Sequence, residues 1–179
     1  DRCELGDLDG ARDLLPSLVG RGPRGLDLSG IAAAVIESLA ENSVDAFVWT
    51  KENFALAGAD NAHLAFIDLE HAFPELDGIV SVVASNPPYV PDAAIPRDPE
   101  VRFFDPPAAL YGGADGLDVV RVLSGVGLRL AHPGGTIVIE HGEWQGEAIR
   151  GILSADGWRA VATHPDLTMR DRATTALRP

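Results

Sequence analysis

Asn86, Pro87, Pro88 and Tyr89 together carry the groups best suited to gripping a planar amide or amino nitrogen. An asparagine side chain offers one carbonyl acceptor and two N–H donors. The two prolines fix φ and have no N–H of their own, so their carbonyls are held in place and free to accept. Tyr89 adds a flat face with a polar tip. Such a set can take the N–H bonds of an amide, aim its nitrogen and leave the lone pair free to attack. The competing reading is a strand followed by an ordinary proline turn, because Asn-Pro commonly starts turns.

The element that must position these residues is the apolar run at 79–85, rich in valine. β-branched residues suit a buried strand, and neither proline can donate to a sheet ladder. Asn86 is therefore expected at the carboxyl end of a strand, where open α/β sheets place their ligands.

Downstream lie Pro99-Glu100-Val101, Asp105-Pro106, Ala109-Leu110-Tyr111-Gly112-Gly113, Asp115-Gly116-Leu117 and Pro133-Gly134-Gly135. Glu140-His141-Gly142, Gln145-Gly146, Asp166-Leu167 and Asp171-Arg172 follow. As a set, with the Asn-Pro-Pro-Tyr elbow, these resemble the peptide-chain release factor glutamine methyltransferases. The resemblance runs over residues 64–177 and is patchy before that. Any one piece of it is weak.

The resemblance implies a Rossmann-like class I methyltransferase fold of the α/β class. Its sheet would be seven-stranded and mostly parallel with an antiparallel last strand, and helices would cover both faces. It implies S-adenosyl-L-methionine as cofactor, S-adenosyl-L-homocysteine as product, and a release factor as the protein substrate. Catalysis falls to Asn86, Pro87 and Tyr89, and substrate binding to Asn86, Pro87, Pro88 and Tyr89. Cofactor binding falls to Asp27, Ser29, Gly30, Asp68, Leu69 and Asn86, with Asp68-Leu69 meeting the adenine. Read without the resemblance, Asp68 is equally a helix N-cap.

Residues 1–24 read as a short amphipathic helix and a Gly/Pro linker, a remnant of the amino-terminal domain with which the family holds its release factor. The catalytic domain is expected over 25–179. Its strands are expected at 25–28, 46–49, 63–67, 79–85 and 136–139, with an antiparallel pair at 158–164 and 172–177. Helices are expected at 31–40, 115–131 and 143–153. A long proline-rich loop spans 90–110, where Arg97, Glu100 and Arg102 could meet a protein substrate.

Two places depart from the family pattern. Leu28-Ser29-Gly30 runs directly into Ile31, short of the family's glycine-rich loop, and no G-x-G-x-x-G is present. Trp49 is followed at once by Thr50-Lys51-Glu52-Asn53, which resembles the end of a helix and leaves out the ribose-binding acid. Either the chain has lost its cofactor elements, or mobile cofactor loops are missing from the sequence after Leu28 and Trp49. The second is the favoured expectation, since ligand-ordered loops come from the least stable part of a fold.

Composition bounds the partners. With 14 basic against 27 acidic residues the net charge is −13, which opposes nonspecific nucleic-acid binding. A local patch from Arg121, Arg129, Arg170 and Arg172 stays open. A single cysteine, Cys3, excludes an internal disulfide and a cysteine zinc cluster. There is no apolar run of membrane-spanning length and no signal-peptide pattern, so a cytoplasmic protein is expected. The chain opens at Asp1 rather than Met, which reads as a trimmed or partial sequence. Of the five histidines only His141 falls at an expected strand end beside a carboxylate, Glu140. Pocket lining, local hydrogen bonding and a metal pair are the readings of that site. No G-x-S-x-G elbow or P-loop is present. Rival functions are an exocyclic-amino methyltransferase acting on nucleic acid, and a non-catalytic binding protein without its cofactor loops.

Overall fold

The computed structural model describes residues 43–58, 62–96 and 98–179. The expected strand at 25–28, the helix at 31–40, the stretch 1–24, Arg97 and the cofactor residues Asp27, Ser29 and Gly30 lie outside the described residues. The elements in chain order are helix α1 (Ser43–Ala57), strand β1 (Val80–Ser85), two short helices α2 (Pro99–Phe104) and α3 (Pro107–Leu110), and helix α4 (Asp118–Leu130). Strand β2 (Ala131–Glu140), helix α5 (Gly146–Ala155), and strands β3 (Arg159–Pro165) and β4 (Asp171–Leu177) complete them. Two single-turn 3-10 helices, Leu69–His71 and Pro74–Leu76, precede β1.

The four strands among the described residues form one mixed sheet in the order β1-β2-β4-β3. β1 and β2 are parallel, whereas β4 runs antiparallel to both β2 and β3. A parallel pair needs a crossover, and α4 supplies it. The antiparallel final pair stands as expected, within a residue or two. β2 extends well before the expected 136–139. Its register against β1 breaks between Val80↔Ala131 and Val82↔Thr136, so Pro133-Gly134-Gly135 bulges out of the strand instead of preceding it. Gly134 sits at φ 82°, a left-handed conformation suited to glycine.

Two expected strands are not strands. Residues 46–49 lie within α1, and the helix is continuous through Trp49 and Thr50. A short apolar run cannot be told from a helix segment by periodicity. Here the stretch 43–57 holds neither glycine nor proline, and its three alanines with Lys51, Glu52 and Leu56 favour a helix. Trp49 and Thr50 share that one helix. Residues 63–67 form no ladder; Phe66 and Ile67 are more than half exposed, and the Phe66 ring packs on Phe47 of α1 at 5.4 Å between centroids. The loop 90–110 also carries more structure than expected, namely α2 and α3.

The core lies between the sheet and the helices α4 and α5. On α4, Val120, Leu123, Ser124, Gly127 and Leu130 are buried, the three-and-four spacing of one helical face. They meet Val80, Val83, Ile137 and Ile139 from the sheet, and Ile149 and Leu153 from α5. Full burial of each such aliphatic side chain is worth about 1.5–3 kcal/mol. The Trp158 indole lies across Gly127, where a Cβ would meet its Cζ2 at 3.0 Å. Its Nε1 donates to Ser124 Oγ (3.2 Å), and that hydroxyl donates to Asp156 Oδ2 (2.6 Å).

Candidate active site

β1 delivers the elbow. Val83 and Ser85 are buried, Asn86 is exposed, Pro87 and Pro88 are buried again, and Tyr89 is half-buried. A polar side chain thus emerges between a strand and a buried proline pair whose φ angles are fixed. Among the described residues neither the Asn86 side chain nor the Pro87 carbonyl has a hydrogen-bond partner. Ser85 Oγ, beneath Asn86, is buried and also without one.

The loop that follows is pinned to residues 110–118 by a lattice of backbone bonds. Val90 N donates to Leu110 O (2.8 Å) and Gly112 N to Val90 O (3.0 Å). Asp92 N donates to Gly113 O (3.0 Å), and Asp118 N to Gly112 O (2.9 Å). Two glycines permit this approach. A Cβ on Gly112 would collide with the Pro88 carbonyl, and one on Gly116, at φ 76°, with the Tyr89 carbonyl. This gives the Tyr-Gly-Gly and Asp-Gly-Leu pieces their physical meaning: they let two backbones touch.

Sequence reasoning gave Gln145 no role. Its Nε2 donates to Tyr89 O (2.9 Å) and lies within reach of Asp115 O (3.3 Å) and Gly116 O (3.4 Å). Its Oε1 accepts from Gly142 N (2.9 Å). Three loops on the elbow side of the sheet meet at one amide side chain. The only signal in the sequence was the Gln-Gly pair itself.

His141 is fully buried and its surroundings choose among its readings. Nδ1 faces Gly142 O (2.9 Å) and Nε2 faces Thr174 Oγ1 (2.9 Å); the latter faces Thr163 Oγ1 (2.9 Å), to which Arg150 NH1 donates (2.7 Å). A carbonyl can only accept, so Nδ1 carries the hydrogen. Nε2 then accepts from Thr174, which accepts from Thr163, and every donor is satisfied with a neutral ring. Burial lowers the imidazole pKa, opposed by the Gly142 carbonyl and the Asp171 charge. Local hydrogen bonding, not metal ligation, occupies this side chain. No group of metal-ligating residues occurs among the described residues.

Asp68 occupies the N-cap position of Leu69–His71 and is exposed, and its side chain makes no cap hydrogen bond. Leu69 packs against the core. The structure joins Asn86, Pro87, Pro88 and Tyr89 in one elbow, and sets Asp68 and Leu69 on the separate turn before β1. An open groove lined by Asp98, Glu100, Val101 and Asp105 contains none of the elbow residues. Arg102 lies over the Phe103 ring at 5.3 Å, and both Glu100 and Arg102 are exposed.

The four arginines that could have formed a basic patch each face a carboxylate. Arg121 pairs with Asp115 (2.5 Å) and Asp118 (2.9 Å), Arg129 with Asp77, Arg170 with Glu143 (3.7 Å) and Arg172 with Asp166 (3.4 Å). The Arg121 hydrogen bond holds the Asp115 pKa down to about 2. The Thr168 hydroxyl, ahead of backbone and Arg172 donors, does the same for Asp166, also about 2. Asp166 thereby ties the β3–β4 turn together. No helix among the described residues is long and apolar enough to cross a membrane.

With this geometry in place, comparison with known proteins is decisive for kinship. The chain is 44% identical over 138 residues, 76% of its length, to the release factor glutamine methyltransferase of Streptomyces coelicolor (strain ATCC BAA-471 / A3(2) / M145). The chain is a relative of the release factor glutamine methyltransferases. The match spans 48% of the Streptomyces coelicolor protein, so the chain covers about half of that relative's length. A 4-amino-L-phenylalanine/4-methylamino-L-phenylalanine methyltransferase of Streptomyces pristinaespiralis is 39% identical over 112 residues, 62% of this chain and 38% of that protein. Among solved structures, the release-factor-specific protein-(glutamine-N5) methyltransferase of Alicyclobacillus acidocaldarius subsp. acidocaldarius DSM 446 aligns with 99% of this chain and 96% of its own. That alignment has 18% identity and a TM-score of 0.45. A second family, described as CobD/Cbib protein, matches residues 1–65, of which only 43–58 and 62–65 are described.

Proposed function

We propose that the chain is the catalytic part of a methyltransferase that uses S-adenosyl-L-methionine to methylate the side-chain amide nitrogen of a glutamine in a peptide-chain release factor. The observation that carries this reading is the exposed Asn86 on a proline-locked elbow, with neither its side chain nor the Pro87 carbonyl partnered among the described residues. Two acceptors next to each other match the two N–H donors of a carboxamide. By accepting both, Asn86 Oδ1 and Pro87 O orient the amide and enrich its nitrogen, whose lone pair is otherwise delocalised. The Tyr89 ring walls the pocket. Its carbonyl accepts from Gln145 Nε2, which leaves the ring to face substrate.

S-adenosyl-L-methionine, when bound, supplies a methyl group already activated on a sulfonium, so the protein's task is proximity and orientation. The exposed carboxylate of Asp68 suits an adenine amino group, and Leu69 and Asn86 complete the described part of that site. Asp27, Ser29 and Gly30 are assigned to it from the family pattern. The product would be S-adenosyl-L-homocysteine. The described sheet is read as the carboxyl-terminal part of a seven-stranded methyltransferase sheet, and a cytoplasmic site of action follows from the substrate.

A second reading is N-methylation of a small aromatic amine, favoured by the Streptomyces pristinaespiralis relative. The nucleic-acid reading is disfavoured because all four candidate arginines are ion-paired. The test is transfer of radiolabelled methyl from S-adenosyl-L-methionine to a purified release factor, to 4-amino-L-phenylalanine and to DNA. Label on a release-factor glutamine supports the reading. Label on the aromatic amine alone replaces it with the second.

A further inference from the structure

The chemistry assigned to the elbow needs Asn86 Oδ1 and Pro87 O held in fixed relation, yet a strand end followed by a loop does not hold itself. The prolines fix φ but not ψ. What fixes the far end of the elbow is the Tyr89 carbonyl, which accepts from Gln145 Nε2 at 2.9 Å. The same amide is fastened from behind by Gly142 N, which donates to Oε1 at 2.9 Å. Gly142 follows His141, whose buried ring and backbone are themselves fixed: His141 N donates to Arg172 O at 2.9 Å. A load path therefore runs from β4 through the end of β2 and the Gln145 side chain to the elbow.

The amide is matched to its place in both halves. Oε1 meets a donor, while Nε2 is surrounded by the carbonyls of Tyr89, Asp115 and Gly116. Three acceptors around one group call for a donor and penalise any acceptor. Gly116 has no room for a Cβ because Gln145 Nε2 already stands 2.8 Å from where it would be. Gln145 is half-buried and absent from the buried apolar cluster.

We propose that Gln145 is a positioning residue for methyl transfer. It locks the Tyr89 carbonyl to the Asp115–Gly116 loop and to Gly142, and so sets the aim of Asn86 and Pro87. The catalytic part of this inference rests on the methyltransferase reading above. Gln145 acts through the elbow and touches no reacting atom.

The experiment uses the full-length protein with Gln145→Ala and Gln145→Glu, measuring kcat and KM for methyl transfer to the release factor across pH, melting temperature, and amide hydrogen exchange at Gly142. In Gln145→Ala, kcat is expected to fall about 10- to 100-fold, the size of effect that a small misplacement of reacting groups produces. KM and melting temperature should move little. In Gln145→Glu an ionised carboxylate keeps the Gly142 bond but presents an acceptor to three carbonyls. Those carbonyls raise its pKa, and once protonated it regains an O–H donor for Tyr89 O. The ratio of its kcat to wild type should therefore climb as pH falls from about 8 to about 6. Nearby charges, Asp115 paired with Arg121 and Glu143 paired with Arg170, are common to both proteins and divide out of that ratio, as does His141. A merely structural role predicts no such recovery. Wild-type kcat in Gln145→Ala, or a Gln145→Glu ratio flat with pH, would overturn the inference. If the wild-type protein itself transfers no methyl, the functional reading fails and exchange decides the clamp alone: faster Gly142 exchange in Gln145→Ala upholds it, and unchanged exchange removes it.

Discussion

Replacing Gly116 with alanine puts the architecture around the elbow under direct strain. Gly116 sits at φ 76°, where an L-residue costs about 1–2 kcal/mol. Its new Cβ would lie against the Tyr89 carbonyl and within 2.8 Å of Gln145 Nε2. The carbonyl is backbone and cannot swing aside as a side-chain tip can, so overpacking adds about 1–3 kcal/mol. The combined loss is about 2–5 kcal/mol. At about 2–4 °C per kcal/mol for a domain of this size, the melting temperature should drop by about 4–20 °C. Any relief of the clash must move Tyr89, and with it the elbow, so kcat should fall about 10- to 100-fold in the population that stays folded. Gly125→Ala is the internal control. Gly125 lies in α4 with nothing within 4 Å of an added Cβ, and alanine there should gain about 1 kcal/mol from helix propensity. Thermal melts and methyl-transfer kinetics on both variants make the comparison. Gly116→Ala melting with wild type and turning over at the wild-type rate would refute the claim that elbow and loop are in obligatory contact.

Further outcomes follow from the same packing. His141 is held neutral by burial, so its folded pKa lies below 6.5 and the unfolded chain binds a proton that the fold refuses. Its contribution to stability is present above about pH 6.5 and is lost as pH falls below that value. Urea midpoints measured from about pH 8 to pH 5 should decline more steeply for wild type than for His141→Gln; parallel curves would contradict the buried neutral ring. Leu123→Ala, at a position with no exposure, should cost about 2–5 kcal/mol in urea melts. A smaller loss would mean that α4 can settle into the space left behind.

The parts of this molecule legible in the sequence are those where a local rule and the tertiary structure agree. β1 ended where the prolines forbade a ladder, and α4 showed the spacing of one buried face. The final antiparallel pair is legible because the turn around Asp166 separates two runs of strand-forming residues. Residues 46–49 read as a strand because a four-residue apolar run fits either period. The lack of any glycine or proline across 43–57, with helix formers such as Ala55, Leu56 and Ala57 beyond it, decides for a helix. Residues 63–67 look strand-like, yet a strand needs a neighbour, and sequence alone cannot provide one. The grip of Gln145 on Tyr89 spans 56 residues, far beyond any periodicity. The roles of Gly112 and Gly116 were hidden for the same reason, since a glycine's tightest neighbour is often remote in the chain.

The central claim is that the exposed Asn86 side chain grips the amide that receives the methyl group. Because that side chain is exposed and lacks a partner among the described residues, Asn86→Ala should keep the wild-type melting temperature. The direct measurement is single-turnover methyl transfer to the release factor by Asn86→Ala beside wild type. The account predicts that transfer disappears while the fold persists; transfer at the wild-type rate would contradict it.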